Sequence, residues 1–250
     1  FEIWQKLAQR CVHWLAQPDV AGVVITHGTD TLEETAFFLH SVLASAKPVV
    51  LTCAMRPATA LSPDGPQNVR DAIAVAVTAG ARGVTAVCAG TVHSGLDVQK
   101  VHTYRLDAFA SGDAGPIGYV EEGTVRRVRE WPDAKPSRAS KALDAPGPWP
   151  RVEIVMSHAG ASGAVVEALL REGAEEPVRG LVLATTGNGT LHHALEAAGL
   201  KAQDAGIAVL RATRCTGGRI LPKPDDRLRD AGALTPVKAR IALMLELLGT

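Results

Sequence analysis

Six short apolar, β-branched runs govern what this chain can fold into: residues 20–26, 49–54, 83–88, 152–156, 180–185 and 207–212. They lack the apolar/polar alternation of half-exposed strands, so each reads as a strand buried on both faces, the condition of a parallel sheet. Helical spacing fills most of the intervals, over 2–16, 31–46, 68–81, 162–171, 190–198 and 237–248. Strand–helix alternation of this kind predicts an α/β fold with mainly parallel sheets. The alternation is interrupted twice. Residues 116–130, centred on Glu121-Glu122-Gly123, carry a hairpin signature. Residues 132–150 hold five prolines among Ser, Lys, Asp and Gly, the composition of a linker. Two α/β domains are therefore expected, 1–131 and 151–250, with 132–150 joining them.

Charge and composition narrow the functional classes. Lys+Arg and Asp+Glu stand at 26 each, so no net positive field draws nucleic acid or anionic membrane. Aromatics are 4% of the chain, too few for base-stacking platforms. No apolar run approaches the ~20 residues of a membrane span. The expected partner is a small molecule. The four cysteines (Cys11, Cys53, Cys88, Cys215) have no zinc-ligand spacing, and no metal or cofactor is expected.

The segment richest in chemistry is His27-Gly28-Thr29-Asp30-Thr31, where an apolar strand passes through a glycine into a helix. Ligands of open parallel sheets bind at the carboxyl ends of strands. The helix that begins there offers free backbone N–H groups and a partial positive charge. Thr31 and Glu34 have the spacing of a capping box. By themselves, Thr29, Asp30 and Thr31 are equally readable as ordinary capping residues. His27 looks like a general base, but a packed histidine at a strand end is the simpler reading. His192 and His193 are adjacent on a helix; their side chains are expected to point apart and not to form a metal pair.

Further segments alter that balance. After the second strand come Cys53-Ala54-Met55-Arg56-Pro57, then Ser62-Pro63-Asp64-Gly65-Pro66 and Asn68. Leu96-Asp97-Val98-Gln99-Lys100, Thr186-Gly187-Asn188-Gly189-Thr190 and Leu234–Arg240 follow in order. Together with the unbroken stretch from Val24 to Thr35, these closely resemble the bacterial L-asparaginase (asparaginase/glutaminase) family, along essentially the whole chain. The resemblance implies roles for individual residues. Thr29 supplies a hydroxyl to substrate or attacking water. Lys100 is its proton partner, a role that requires burial or a nearby cation to make the neutral amine accessible. Asp30 binds the α-ammonium of an amino acid. Ala54 matches a backbone position near the scissile amide. Asn188 matches a residue that reaches a neighbouring subunit's active site, so a homotetramer is implied.

The resemblance also has gaps. The family's nucleophile lies in a Thr-Gly-Gly-Thr-Ile-Ala string, and no Gly-Gly-Thr-Ile occurs in the 250 residues. Phe1 falls where the family is already in the helix before His27, so the native protein is expected to continue upstream. Gln99 stands where many members have Thr. Residues 31–46 contain no Cys, so a disulfide known from many periplasmic members is impossible. The expected compartment is the cytoplasm, with the periplasm as alternative. The resemblance implies hydrolysis of the side-chain amide of L-asparagine, or of L-glutamine, through a Thr acyl-enzyme. The alternative is a truncated, non-catalytic amino-acid-binding or assembly module. A third reading, a subunit of a tRNA-dependent amidotransferase, is disfavoured by the neutral charge.

Overall fold

A computed structural model describes residues 1–133, 143, 147–171 and 175–249. Its contacts divide the chain into two compact units, Phe1–Asp144 and Ala145–Thr250. Most of the linker expected at 132–150 lies outside the described residues.

The first unit runs α1 (Glu2–Leu15), β1 (Val23–Thr26), α2 (Leu32–Val42), β2 (Pro48–Thr52), α3 (Gly65–Ala76), β3 (Gly83–Cys88), β4 (Thr91–Ser94), β5 (Gln99–Lys100), β6 (Phe109–Ala110), β7 (Gly118–Glu121) and β8 (Thr124–Arg127). Its main sheet has the order β1-β2-β3-β4-β7-β8. The three apolar runs pair in parallel, as their lack of alternation requires. The other half is antiparallel: β4, which the sequence pattern does not announce, lies between β3 and the hairpin β7–β8 expected within 116–130. The hairpin turn is as expected: Glu122 and Gly123 both take positive φ, 49° and 76°. Mirror-image turns of this kind match the twist of paired strands.

Both faces of the sheet are covered. On one, Ala72, Val75 and Ala76 of α3 pack with Val50, Val87, Val92, Ile117 and Trp131. On the other, α2 lies against β3, with α1 against α2. Seven of the eleven α2 residues are buried. Trp4 of α1 stacks on the fully buried Phe38 at 5.2 Å between centroids, and its indole N–H donates to Thr35 Oγ1. The strand β1 forms one edge of the sheet, with Val23, Val24 and Ile25 only half-buried, whereas β2 and β3 are buried throughout.

Local chemistry moves three expected features. The helix expected to Ala46 ends at Val42. There, the Ser45 hydroxyl accepts from the Lys47 N–H, a local bond that competes with helix. The helix expected from Asn68 begins at Gly65, with Pro66 in its first turn, where a missing N–H costs nothing. The capping box at Thr31 does not form, since that side chain makes no cap hydrogen bond. Its backbone (φ −123°, ψ 16°) is not the extended conformation that turns a hydroxyl back over the first turn. Thr235 has that conformation (ψ 158°), and its side chain accepts from the Lys238 N–H.

The second unit runs β9 (Arg151–Met156), α4 (Ala164–Leu169), β10 (Val178–Thr185), α5 (His193–Asp204), β11 (Ala208–Thr213), β12 (Arg229–Asp230) and α6 (Pro236–Leu248). Its sheet, β12-β11-β10-β9, is wholly parallel. Leu181 and Leu183 face α4 and α5, while Val182 faces α6, the alternation expected of a central strand between two helical layers.

Replacing Phe38 with Ala is expected to destabilise the first unit by about 3–5 kcal/mol, through lost burial and a residual cavity. Urea denaturation followed by tryptophan fluorescence measures it. A change below ~1 kcal/mol would contradict this account of the core.

Candidate active site

The carboxyl ends of β1, β2 and β3 lie side by side; β1 and β2 each release a polar loop, while β3 turns back into β4 through Ala89-Gly90. Beyond β1, the His27 N–H donates to the Thr52 carbonyl and extends the ladder by one bond. The chain then enters Gly28-Thr29-Asp30-Thr31 and the N-terminus of α2. His27 is held on both ring nitrogens. Nδ1 lies 2.7 Å from the Gly28 carbonyl, which can only accept, so Nδ1 carries a proton. Nε2 lies 2.9 Å from Thr35 Oγ1. The histidine is thus packed into the Trp4–Thr35 bonding chain, with both ring nitrogens engaged inside the protein.

Lys100 reaches this corner from far along the sequence. After β4 the chain turns at Gly95, where a Cβ would come within 2.9 Å of the Ala36 carbonyl and 3.0 Å of Val84. Only glycine allows so close an approach to α2. The chain then runs to β5, which pairs with β6 in a separate two-stranded ladder. Two further contacts fix it. The Lys100 N–H donates to Glu33 Oε2 (3.2 Å), and Asp97 pairs with Arg129 at 2.6 Å. Lys100 Nζ donates to Thr29 Oγ1 at 2.8 Å and to Asp30 Oδ1 at 2.7 Å. Thr29, Asp30 and Lys100, some 70 residues apart, therefore form one hydrogen-bonded group. The charged neighbour of Lys100 is an anion, where the sequence argument asked for burial or a cation.

The group is polarised toward solvent. The Lys100 side chain is 18% exposed and that of Asp30 is 91% exposed. Bonding and charge attraction from Lys100, then the Thr29 hydroxyl, hold the Asp30 carboxyl below the usual aspartate range. Oδ1 is committed to Lys100, while Oδ2 takes no donor among the described residues.

The β2 loop brings Ala54 to the surface beside two buried thiols. Cys53 Sγ and Cys88 Sγ sit 3.2 Å apart, and both cysteines are free. The contact with Cys53, then burial, pushes the Cys88 thiol up. Asp64 and Asn68 bond to the backbone around Ala54. Sequence reasoning assigned roles to neither, nor to Glu33. The one available signal was the i, i+4 spacing of Asp64 and Asn68, which puts them on one face of α3.

Asn188 belongs to the second unit, on the loop from Thr186 to Thr190 that closes by a β-bridge. Thr213 Oγ1 donates to the Gly187 carbonyl, and buried Arg211 donates to the Gly189 carbonyl while pairing with Asp226. Asn188 is exposed, and its Oδ1 accepts the Leu221 N–H at 2.7 Å. That bond orients the side chain, leaving the Nδ2 amino group as an outward donor. His192 and His193 do not point apart: their rings lie 4.3 Å between centroids. His192 is the extended N-cap of α5 (ψ 135°), so the divergence of neighbours on a helix does not apply to it. Among the described residues, no group of three or more His, Cys, Asp and Glu is placed to hold a metal ion, and no helix is long and apolar enough to cross a membrane.

Comparison with known proteins fits this arrangement. The family model for the asparaginase N-terminal domain matches residues 1–132, and that for the glutaminase/asparaginase C-terminal domain matches 151–250. L-asparaginase 2 of Bacillus subtilis is 36% identical over 260 residues, covering 100% of this chain and 66% of the relative. L-asparaginase 2 of Escherichia coli is 36% identical, covering 99% and 72%. The glutaminase-asparaginase of Pseudomonas fluorescens is 35% identical, covering 98% and 68%. The chain thus spans about two thirds of the length of such relatives. The crystal structure of a probable cytoplasmic L-asparaginase from Campylobacter jejuni superposes with a TM-score of 0.88 at 36% identity, covering 100% of this chain and 80% of that one. With both domain models matched in order and the same fold at that identity, the chain belongs to the asparaginase family.

Proposed function

We propose that the protein is an L-asparaginase: it hydrolyses the side-chain amide of L-asparagine to L-aspartate and ammonia. The observation that carries this reading is the Lys100–Thr29–Asp30 group at the carboxyl end of β1. An exposed carboxylate with one free oxygen suits the α-ammonium of a zwitterionic amino acid, through a charge-assisted hydrogen bond. That ammonium then competes with Lys100 for Asp30 and loosens the ion pair that holds the lysine. Lys100 bonds Thr29 Oγ1 directly, so in its neutral form, with its own proton given up to solvent, the amine is an adjacent acceptor for a proton lost from that hydroxyl or from a water it holds. The exposed Ala54 backbone flanks the amide. A nucleophile adds to the carbonyl carbon, the C–N bond breaks, ammonia leaves with the transferred proton, and water then adds to the acyl carbon and releases L-aspartate.

The covalent step, attack by a Thr to form an acyl-enzyme, rests on the family resemblance, since the Thr-Gly-Gly-Thr-Ile-Ala string is not in these 250 residues. The half-buried apolar edge of β1 supports pairing with a further strand there. The outward Nδ2 of Asn188 supports a contribution to a neighbouring subunit's site, and hence a homotetramer. The adjacent free thiols Cys53 and Cys88 support a reducing compartment, the cytoplasm. L-glutamine is the second substrate to test, as one relative is named a glutaminase-asparaginase.

Ammonia release from L-asparagine by the protein expressed from its own gene tests the reading. Turnover is expected, and Thr29→Ala or Lys100→Ala should lower kcat/KM by about 10²–10⁴-fold. Wild-type rates in both variants would overturn the roles. Calorimetric binding of asparagine without turnover would instead favour an amino-acid-binding module.

The Asp30 carboxyl has its folded value lowered, so the carboxylate, and with it the ammonium site, persists at pH values where a free aspartate is already protonating. It is lost only as pH falls through the depressed value. Carbon-13 NMR titration should give a midpoint below that of free aspartate, and Lys100→Met should raise it. An unchanged midpoint in that variant would contradict the pairing.

A further inference from the structure

Ala54 sits on a backbone that is bonded on both sides of it. The Cys53 carbonyl accepts from Asn68 Nδ2 at 2.9 Å. The Met55 N–H donates to Asp64 Oδ2 at 2.9 Å, and the Arg56 N–H to Asp64 Oδ1 at 2.8 Å. Ala54 itself is exposed, and neither its N–H nor its C=O has a partner among the described residues. The two peptide units that meet at Ala54 are therefore each tied at their far group, which leaves the Ala54 N–H and C=O themselves open at the position that the proposed reaction places beside the amide.

The two tying residues are used in unusual ways. Asp64 is the N-cap of α3, yet its side chain makes no cap hydrogen bond. An N-cap aspartate ordinarily accepts from the first turn of its own helix. Here both carboxylate oxygens are turned instead onto the loop that follows β2. Asn68, one turn further on and 3% exposed, spends every group it has: Nδ2 on the Cys53 carbonyl and Asp64 Oδ2, Oδ1 on the Ala89 N–H. The partners fix its orientation, because a carbonyl must face the amide nitrogen and an N–H must face the oxygen. Ala89 follows β3 and holds a left-handed conformation, φ 48°. One buried amide thus locks the carboxyl ends of β2 and β3 to each other.

We infer that Asp64 and Asn68 are positioning residues for the amide-binding segment: they pre-set the Ala54 backbone so that it meets the substrate without reorganising. The inference rests on the asparaginase reading given above. Polar groups aimed at a reacting centre are worth most when they are already in place, and a misplacement of about 1 Å costs on the order of 10²-fold in rate. The partial burial of Asp64 pushes its carboxyl up, but the N–H donors of Met55 and Arg56, its own N–H and Asn68 outweigh that, so it lies below the usual range. The anion that accepts both loop N–H groups is thereby the favoured form at neutral pH.

The test compares the protein expressed from its own gene with Asp64→Ala and the isosteric Asp64→Asn, which keeps one acceptor oxygen. Asp64→Ala should lower kcat for asparagine about 10²-fold and leave KM within about threefold, because Asp30 still holds the ammonium. Asp64→Asn should fall between Asp64→Ala and wild type. Amide hydrogen exchange should quicken at Met55 and Arg56 in both variants. If Asp64→Ala fails to fold, Asp64→Asn carries the same comparison. A variant with unchanged kcat, or one that loses only thermal stability, would overturn the positioning role while wild-type turnover keeps the asparaginase reading. A wild-type protein that releases no ammonia would overturn that reading, and this one with it.

Discussion

The ammonium of Lys100, bonded at once to Thr29 Oγ1 and Asp30 Oδ1, is the contact around which the first unit is arranged. It joins two segments about 70 residues apart, so the whole of β2, α3, β3 and β4 must fold correctly for it to exist. The route back to α2 leaves little freedom. Gly95 permits the close pass, Val98 is fully buried, and Glu33 and Arg129 hold the backbone and the neighbouring Asp97. A lysine on a free loop would pay heavily in side-chain entropy to hold two partners. Here the backbone is already ordered, and the stem is largely covered before the charge meets its partners.

The site also depends on where parallel strands end. Strands β1, β2 and β3 point the same way, so their following loops meet at one edge. The N-terminus of α2 lies just after Asp30 and adds the partial positive charge of a helix start. The result is a polar corner with one free carboxylate oxygen, the exposed backbone of Ala54 and a shielded cation. These groups match the ends of a small zwitterionic amide better than a polymer, and the neutral surface charge agrees.

How much of this was legible in the sequence follows from which interactions are local. The parallel strands were, because burial on both faces writes an apolar run. The β7–β8 hairpin was legible at its turn, Glu121-Glu122-Gly123, but β4 was not, because four residues of which two are the polar His93 and Ser94 write no strand pattern. The juxtaposition of Lys100 with Thr29 came only through resemblance, since nothing local in the sequence ties two residues 71 positions apart. Thr31 looked like a cap by spacing, but its backbone torsion prevents the bond. His192 and His193 were treated as helical neighbours although one is the extended cap. The work of Asp64 was hidden because the helix was expected only from Asn68, which left Asp64 in a loop; the structure makes it the N-cap of α3 with its oxygens turned away from the helix.

The central claim is that Asp30 recognises the α-ammonium. The direct measurement is ammonia release from L-asparagine and from succinamate, the same amide without its ammonium, by the protein and its Asp30→Ala variant. The account predicts a preference for asparagine of about 10²-fold in the wild type, the worth of a hydrogen bond to a charged group. It predicts that the variant loses most of that preference. A variant that still prefers asparagine to the same degree would contradict it.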